Sequence, residues 1–148
     1  MTKRQKYSID LPGHMAECDA NYLRLLKLFP LLPSRDSNQF SLDINGQVLD
    51  IRLDVQERSP YTTLLKLSQA PEMPWSRTPS LTIRMYHDAR SAEVVEYQGE
   101  RHFLAVYHYP NETMRHPDEK AQINRFLGEF LSLCLARGIA LSAPLLTH

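Results

Sequence analysis

The stretch Phe40-Ser41-Leu42-Asp43-Ile44-Asn45-Gly46-Gln47-Val48-Leu49-Asp50-Ile51-Arg52-Leu53-Asp54-Val55 decides the fold of this chain. Phe40, Leu42 and Ile44 alternate with Ser41 and Asp43, the period of two that puts apolar side chains on one face of a strand. Asn45-Gly46 follows, a pair suited to the positive φ angles of a two-residue hairpin turn. The return strand then alternates Leu49, Ile51, Leu53 and Val55 with Asp50, Arg52, Asp54 and Gln56, so one face of this sheet is wet.

Working outward, the same reading extends the sheet. Ser59-Pro60 turns the chain into a third strand from Tyr61 to Ser68, carrying Thr62, Thr63, Leu65 and Leu67. Gln69 to Pro79 is a proline-stiffened loop holding the one tryptophan, Trp75, which is expected to plug onto the core. Ser80 to Tyr86 alternates Leu81, Ile83 and Met85 with Thr82, Arg84 and Tyr86. His87 to Arg90 turns it into a fifth strand from Ala92 to Tyr97, Gln98-Gly99 turns again, and Phe103 to Tyr107 reads as a sixth. Short connections between alternating segments predict an antiparallel meander.

One helix is expected before the strands in the chain and one after them. From His14 to Phe29, Met15, Cys18, Tyr22, Leu25, Leu26 and Phe29 recur at spacings of three and four, one stripe of a helix that Pro30 and Pro33 end. The segment 1–13 has no period and contains Pro12-Gly13, so it reads as a loosely ordered lead-in. A second helix opens near Pro117 and runs to about Arg137, with Gly138 as its C-cap. The tail from Ile139 to His148 is apolar enough to lie along the sheet. The expectation is an α+β fold in one domain, 1–148: an N-terminal helix, a six-stranded antiparallel meander and a C-terminal helix, with both helices on one sheet face.

Composition narrows the function. The 148 residues hold 17 basic against 17 acidic side chains, leaving no net charge to draw in nucleic acid or an anionic membrane. The N-terminus has a basic start without the apolar run of a secretory signal, and the apolar segment Tyr22 to Leu32 is interrupted by Arg24, Lys27 and Pro30. Cys18 and Cys134 fall on apolar helix stripes, as reduced core thiols would. A cytoplasmic protein with neither nucleic-acid nor membrane partners is expected.

The densest reactive run is Tyr107 to Leu131. On its helical wheel Asp118, Gln122, Arg125, Glu129 and Ser132 form a solvent face, and Ile123, Phe126, Leu127, Phe130, Leu131 and Cys134 a core face. Glu119, Lys120 and Asn124 are polar extensions of the buried stripe. Either the first turn projects beyond the core, with Asn124 bonded to the Pro110-Asn111 loop, or these residues face Arg84 and His87 across a cleft. His87, His108, His116, Asp88 and Asp118 lack a metal-ligand spacing, so no metal and no cofactor are expected. Tyr86-His87-Asp88-Ala89-Arg90 reads more simply as a polar hairpin tip. Neither a nucleophile elbow nor a glycine-rich phosphate loop is present, and Glu93 and Glu96 beside Arg84 read as an ion-pair lattice before an acid/base pair. The reading therefore leans away from an enzyme and assigns no catalytic residue.

Several motifs together are specific. Cys18 and Asn21 before Tyr22 to Leu26, Arg84-Met85-Tyr86-His87-Asp88-Ala89 followed by Ala92-Glu93-Val94, Tyr109-Pro110-Asn111, and Asp118-Glu119-Lys120-x-Gln122-x-Asn124-x-Phe126-Leu127 resemble the YqiB-like family of bacterial proteins, a domain of unknown function. The resemblance spans nearly the whole chain, with Phe130 where the family pattern carries tryptophan. It implies a short cytoplasmic protein without an established activity.

The functional expectation is a non-enzymatic protein-binding or adaptor module that engages an unknown protein partner through the wet sheet face and the loop before the second helix. Its candidate contacts are Arg84, Tyr86, His87, Asp88, Glu93, Tyr109, Asn111, Glu119, Lys120 and Asn124. The alternative is a small anionic, nucleotide-like ligand, or a weak hydrolase, with a site between the 84–90 hairpin and the 117–124 helix start. A monomer or a homodimer built through the open sheet face or edge fits either reading.

Overall fold

The computed structural model describes residues 11–44, 46–70, 80–98 and 119–140, with the side chains of 44, 47, 70, 98, 119, 139 and 140 outside that description. Helix α1 spans Leu11–Leu28, followed by strands β1 (Ser37–Ile44), β2 (Gln47–Arg58), β3 (Thr62–Ala70), β4 (Ser80–Tyr86) and β5 (Ser91–Gln98). Helix α2 spans Glu119–Arg137, and a two-residue strand β6 (Ile139–Ala140) follows it. The fold is α+β.

The five long strands form an antiparallel meander, and β6 extends it beyond β1, giving the order β5-β4-β3-β2-β1-β6. At the first hairpin Ile44 pairs with Gln47, which leaves a two-residue turn in which Gly46 takes a φ of 83°. Only glycine adopts that backbone region freely. The expected sixth strand, Phe103 to Tyr107, the Trp75 loop, and Tyr109, Asn111, His108, His116 and Asp118 lie outside the described residues. Among the described residues the sixth member of the sheet is the chain just past α2, where Ile139 and Ala140 pair with Ser41 and Phe40. The apolar tail thus begins on the sheet, as its composition suggested.

Register places Phe40, Leu42, Leu49, Ile51, Leu53, Leu65, Leu67, Leu81, Ile83, Met85, Ala92 and Val94 on one buried sheet face. They join Tyr22, Leu25 and Phe29 of the α1 side and Ile123, Phe126, Leu127, Phe130 and Leu131 of α2 in one apolar cluster, so both helices cover the same face. Burial of these side chains is the main stabilising term, at about 25 cal/mol for each Å² removed from water.

Three details depart from expectation. Helix α1 begins at Leu11, which takes Pro12 and Gly13 out of the lead-in, because the first turn of a helix needs no N–H from proline. Met15 is exposed, since α1 turns its stripe toward α2 and β5 through Cys18, Asn21, Tyr22 and Leu25. Gln122, placed on the solvent side of the wheel, is buried, and so is Gly128, because α2 packs against α1 as well as the sheet.

Gly138 ends α2 by donating its N–H to Cys134 O at 2.7 Å. A Cβ added there would meet that same carbonyl at 2.5 Å and Phe40 at 3.2 Å. Backbone cannot yield as a side-chain tip can. Gly138→Ala should therefore cost about 1–3 kcal/mol in urea unfolding, and an unchanged midpoint would show that the α2–β6 junction relaxes freely.

Candidate functional site

The candidate residues gather where the β4–β5 hairpin meets both helices. The turn His87–Arg90 brings β4 back as β5, with Arg90 at a φ of 54°, the left-handed conformation that lets a tight turn close. Asp88 accepts a hydrogen bond from Ala89 N at 2.9 Å, a local turn contact in keeping with the hairpin-tip reading.

His87 is held on both sides. Its Nδ1 lies 2.9 Å from the Tyr22 hydroxyl of α1 and its Nε2 lies 2.7 Å from Thr63 Oγ1 of β3. A neutral imidazole has one N–H, so one hydroxyl donates and the other accepts. Its backbone N–H donates to Tyr61 O at 2.8 Å, and Arg90 sits 5.3 Å from the Tyr22 ring centroid. This arrangement pins α1 to the sheet and leaves neither ring nitrogen for a metal or an anion. Among the described residues no group of three or more His, Cys, Asp or Glu side chains is placed to hold a metal ion.

Arg84, Tyr86 and Glu93 lie on the face of the sheet away from the helices, with Arg84 directly opposite Glu93. Tyr86 donates to Glu93 Oε2 at 2.8 Å, and burial followed by that bond raises the phenol above its ordinary value. Glu93 Oε1 lies 3.4 Å from Lys120 Nζ, which reaches it from the first turn of α2. Lys120 is exposed, so this ion pair contributes little beyond position.

Asn124 has a different role. It is 0% exposed, accepts from Val94 N at 2.8 Å and donates to Lys120 O at 2.8 Å. Its own carbonyl accepts from Asn21 Nδ2 of α1 at 3.1 Å. Val94 adjoins a β-bulge, because β4 residues Ile83 and Thr82 pair with Val94 and Glu96 and leave Val95 extra. The side-chain amide takes up the N–H beside that irregularity. The Pro110-Asn111 loop, the partner expected for Asn124, lies outside the described residues; among those described, Asn124 ties α2, α1 and the edge of the bulge together.

Asn21 is the residue that sequence reasoning left without a role. Its Oδ1 accepts from Arg24 at 2.7 Å, and Arg24 pairs with Glu17 at 3.0 Å. These side chains cover Gly128, where a Cβ would run into the Glu17 carboxylate. The spacing Cys18, Asn21, Tyr22, Leu25 already puts an amide on the buried stripe of α1, and that was the available signal.

Both cysteines are free and buried. Burial lifts the Cys18 thiol to about 11, with Glu93 adding to it, and burial alone lifts Cys134 to about 12. Neither is a nucleophile near neutral pH. Because the folded values lie above the unfolded ones, the stability these thiols contribute is complete below about pH 9 and is lost as pH rises toward 11–12. A thiol reagent at pH 8 should label neither cysteine until denaturant is added; rapid native labelling would contradict their placement.

The outer sheet face also carries two adjoining hollows lined mostly by polar side chains. The larger, about 540 Å³, is lined by Asp36, Ser37, Arg52, Asp54, Val55, Gln56, Lys66 and Ser68. The smaller, about 200 Å³, is lined by Gln56, Lys66, Ser80, Thr82, Glu96 and Tyr97. Of the candidates among the described residues, Arg84, Tyr86, His87, Asp88, Glu93, Lys120 and Asn124 line neither hollow, while Glu96 lines the smaller; the hollows arise from cross-strand register.

Fold and site together define a class: two-layer α+β proteins whose antiparallel sheet is covered by helices on one face and presents polar side chains on the other. The chain belongs to the family described as protein of unknown function DUF1249, which matches residues 24–140. It is 38% identical over 141 residues, 95% of this chain and 98% of the relative, to the uncharacterized protein YqiB of Escherichia coli strain K12. The YqiB proteins of strains O6:H1 and O157:H7 match with the same identity and coverage. No solved structure matches. No helix among the described residues is long and apolar enough to cross a membrane.

Proposed function

We propose that this protein is a non-enzymatic binding module that engages a protein partner through the polar sheet face, in the cytoplasm, where its two free, buried cysteines would stay reduced. The observation that supports the reading is the pair of adjoining hollows over β2, β3, β4 and β5, centred on Lys66, which lines both. A polar, hydroxyl-rich face with a buried apolar reverse is the form of a wet protein–protein interface. The groups best suited to acid/base chemistry have other work: His87 bridges Tyr22 and Thr63, and Glu93 accepts from Tyr86 beside Lys120. For the same reason the anion site between the hairpin and the helix start is the weaker alternative.

Affinity capture from native lysate tests the reading. Wild type should retain a partner that Lys66→Glu loses at least ten-fold, with circular dichroism showing the same fold. A partner set indifferent to Lys66→Glu would contradict it.

A further inference from the structure

Ser68 and Ser80 stand directly opposite each other on β3 and β4, 7% and 5% exposed, and among the described residues neither hydroxyl has a hydrogen-bond partner. Ser68 lines the larger hollow and Ser80 the smaller. Across β2 from Ser68, Arg52 spends its Nη2 on Asp54 at 3.0 Å, while its Nε is shielded from solvent and unpartnered. Lys66, between the hollows, forms no ion pair among the described residues. A polar group withdrawn from water without a partner, as Arg52 Nε is, is costly and the exception in folded proteins.

The accounting of these groups is one-sided. In the larger hollow the carboxylates are already engaged, Asp54 by Arg52 and Asp36 by Arg58 at 3.1 Å. What remains open is donor-only at Arg52 Nε and Lys66 Nζ, and donor-capable at Ser68 and Ser80. The complement is an acceptor with two oxygens and no proton. Asp36, Asp54 and Glu96 line the same hollows, which favours one negative charge over the two of a phosphate.

We infer that the open face seats a single carboxylate side chain, a Glu or Asp of the docking protein, between Arg52, Lys66, Ser68 and Ser80. This rests on the proposed docking role of the face and names the chemical group that anchors it.

The test is a two-dimensional NMR titration of the full chain with N-acetyl-glutamate amide, using N-acetyl-glutamine amide and inorganic phosphate as comparisons. Blocked glutamate should shift the Arg52 Nε–H signal and the backbone amides of Lys66, Ser68 and Ser80 in a saturable way. Arg52→Gln and Lys66→Gln should each weaken it about ten-fold, the scale of one hydrogen bond to a charged group, and the near-isosteric Ser80→Ala should weaken it several-fold. Blocked glutamine or phosphate binding as well as blocked glutamate would overturn the inference, as would variants that bind like wild type. If Lys66→Glu abolishes partner capture yet blocked glutamate binds nowhere, the docking face stands and the carboxylate anchor falls. If blocked glutamate binds as expected and no partner is captured, the seat stands and the docking role falls.

Discussion

Asn124→Ala should lower unfolding stability by about 2–4 kcal/mol, read from the urea midpoint, with no change in far-ultraviolet circular dichroism below the transition. The loss has two parts. Val94 N–H, which Asn124 Oδ1 accepts at 2.8 Å, would be left buried without a partner at an irregularity of the sheet. The space once filled by the amide would be a cavity between α2 and β5, since Asn124 is completely buried. A companion variant separates the hydrogen bond from the volume. Asn124→Asp keeps the shape and the acceptor for Val94 N–H but turns a second acceptor toward Lys120 O, which Asn124 Nδ2 now serves at 2.8 Å. Protonated, the new carboxyl again has one donor and one acceptor, so its folded pKa should rise above the unfolded carboxylate value. The sign follows: relative to wild type, the variant should be weakest at neutral pH and regain stability as pH falls through that raised pKa. A stability difference independent of pH would contradict the bonding assigned to Asn124.

Phe126→Ala should cost about 3–5 kcal/mol, the usual range for removing a large buried aromatic ring. Phe126 is fully buried in the cluster shared by both helices and the sheet, and its ring lies 6.0 Å from that of Phe130 at an interplanar angle of 30°. Its loss removes contacts to the helix layer and the sheet together, and α2 cannot collapse into the gap without moving Asn124 off Val94. The two variants should therefore be non-additive, because both act on the seating of α2 against β5. Phe126→Leu, which keeps part of the volume, should lose much less. A Phe126→Ala loss under about 1 kcal/mol would mean that α2 repacks readily, contrary to the close-packed interior expected here.

The fold was legible where one period dominated. Alternation in β1, β2 and β4, the Asn45-Gly46 turn and the helical stripes of Cys18, Tyr22, Leu25 and of Ile123, Phe126, Leu127 all describe which side faces the core, and the core is made on that basis. Reading failed at positions where a second neighbour intervenes. Gln122 lies on the solvent side of a wheel drawn for one contact, but α2 has two, the sheet and α1. Pro12-Gly13 looked like the end of disorder and proved to be a helix start. Of the candidate residues, Tyr86, Glu93, Lys120 and Asn124 do come together at β5, and His87 stands one turn away, yet their bonds are to one another and to Tyr22 and Thr63. The wet face carrying Arg52 was legible from alternation, but its grouping with Lys66, Ser68 and Ser80 into hollows comes only through strand pairing, which local sequence does not encode.

The separation of a structural cluster at the β5 edge from a docking surface on the open face is the central claim, and one comparison tests it most directly: partner capture by Lys66→Glu against capture by Lys120→Glu. Both lysines carry a charge near β5, but Lys66 lines the hollows while Lys120 pairs with Glu93 at the helix start. Lys66→Glu should lose the partner and Lys120→Glu keep it; loss with Lys120→Glu and retention with Lys66→Glu would place the docking surface at the helix start and not on the open face.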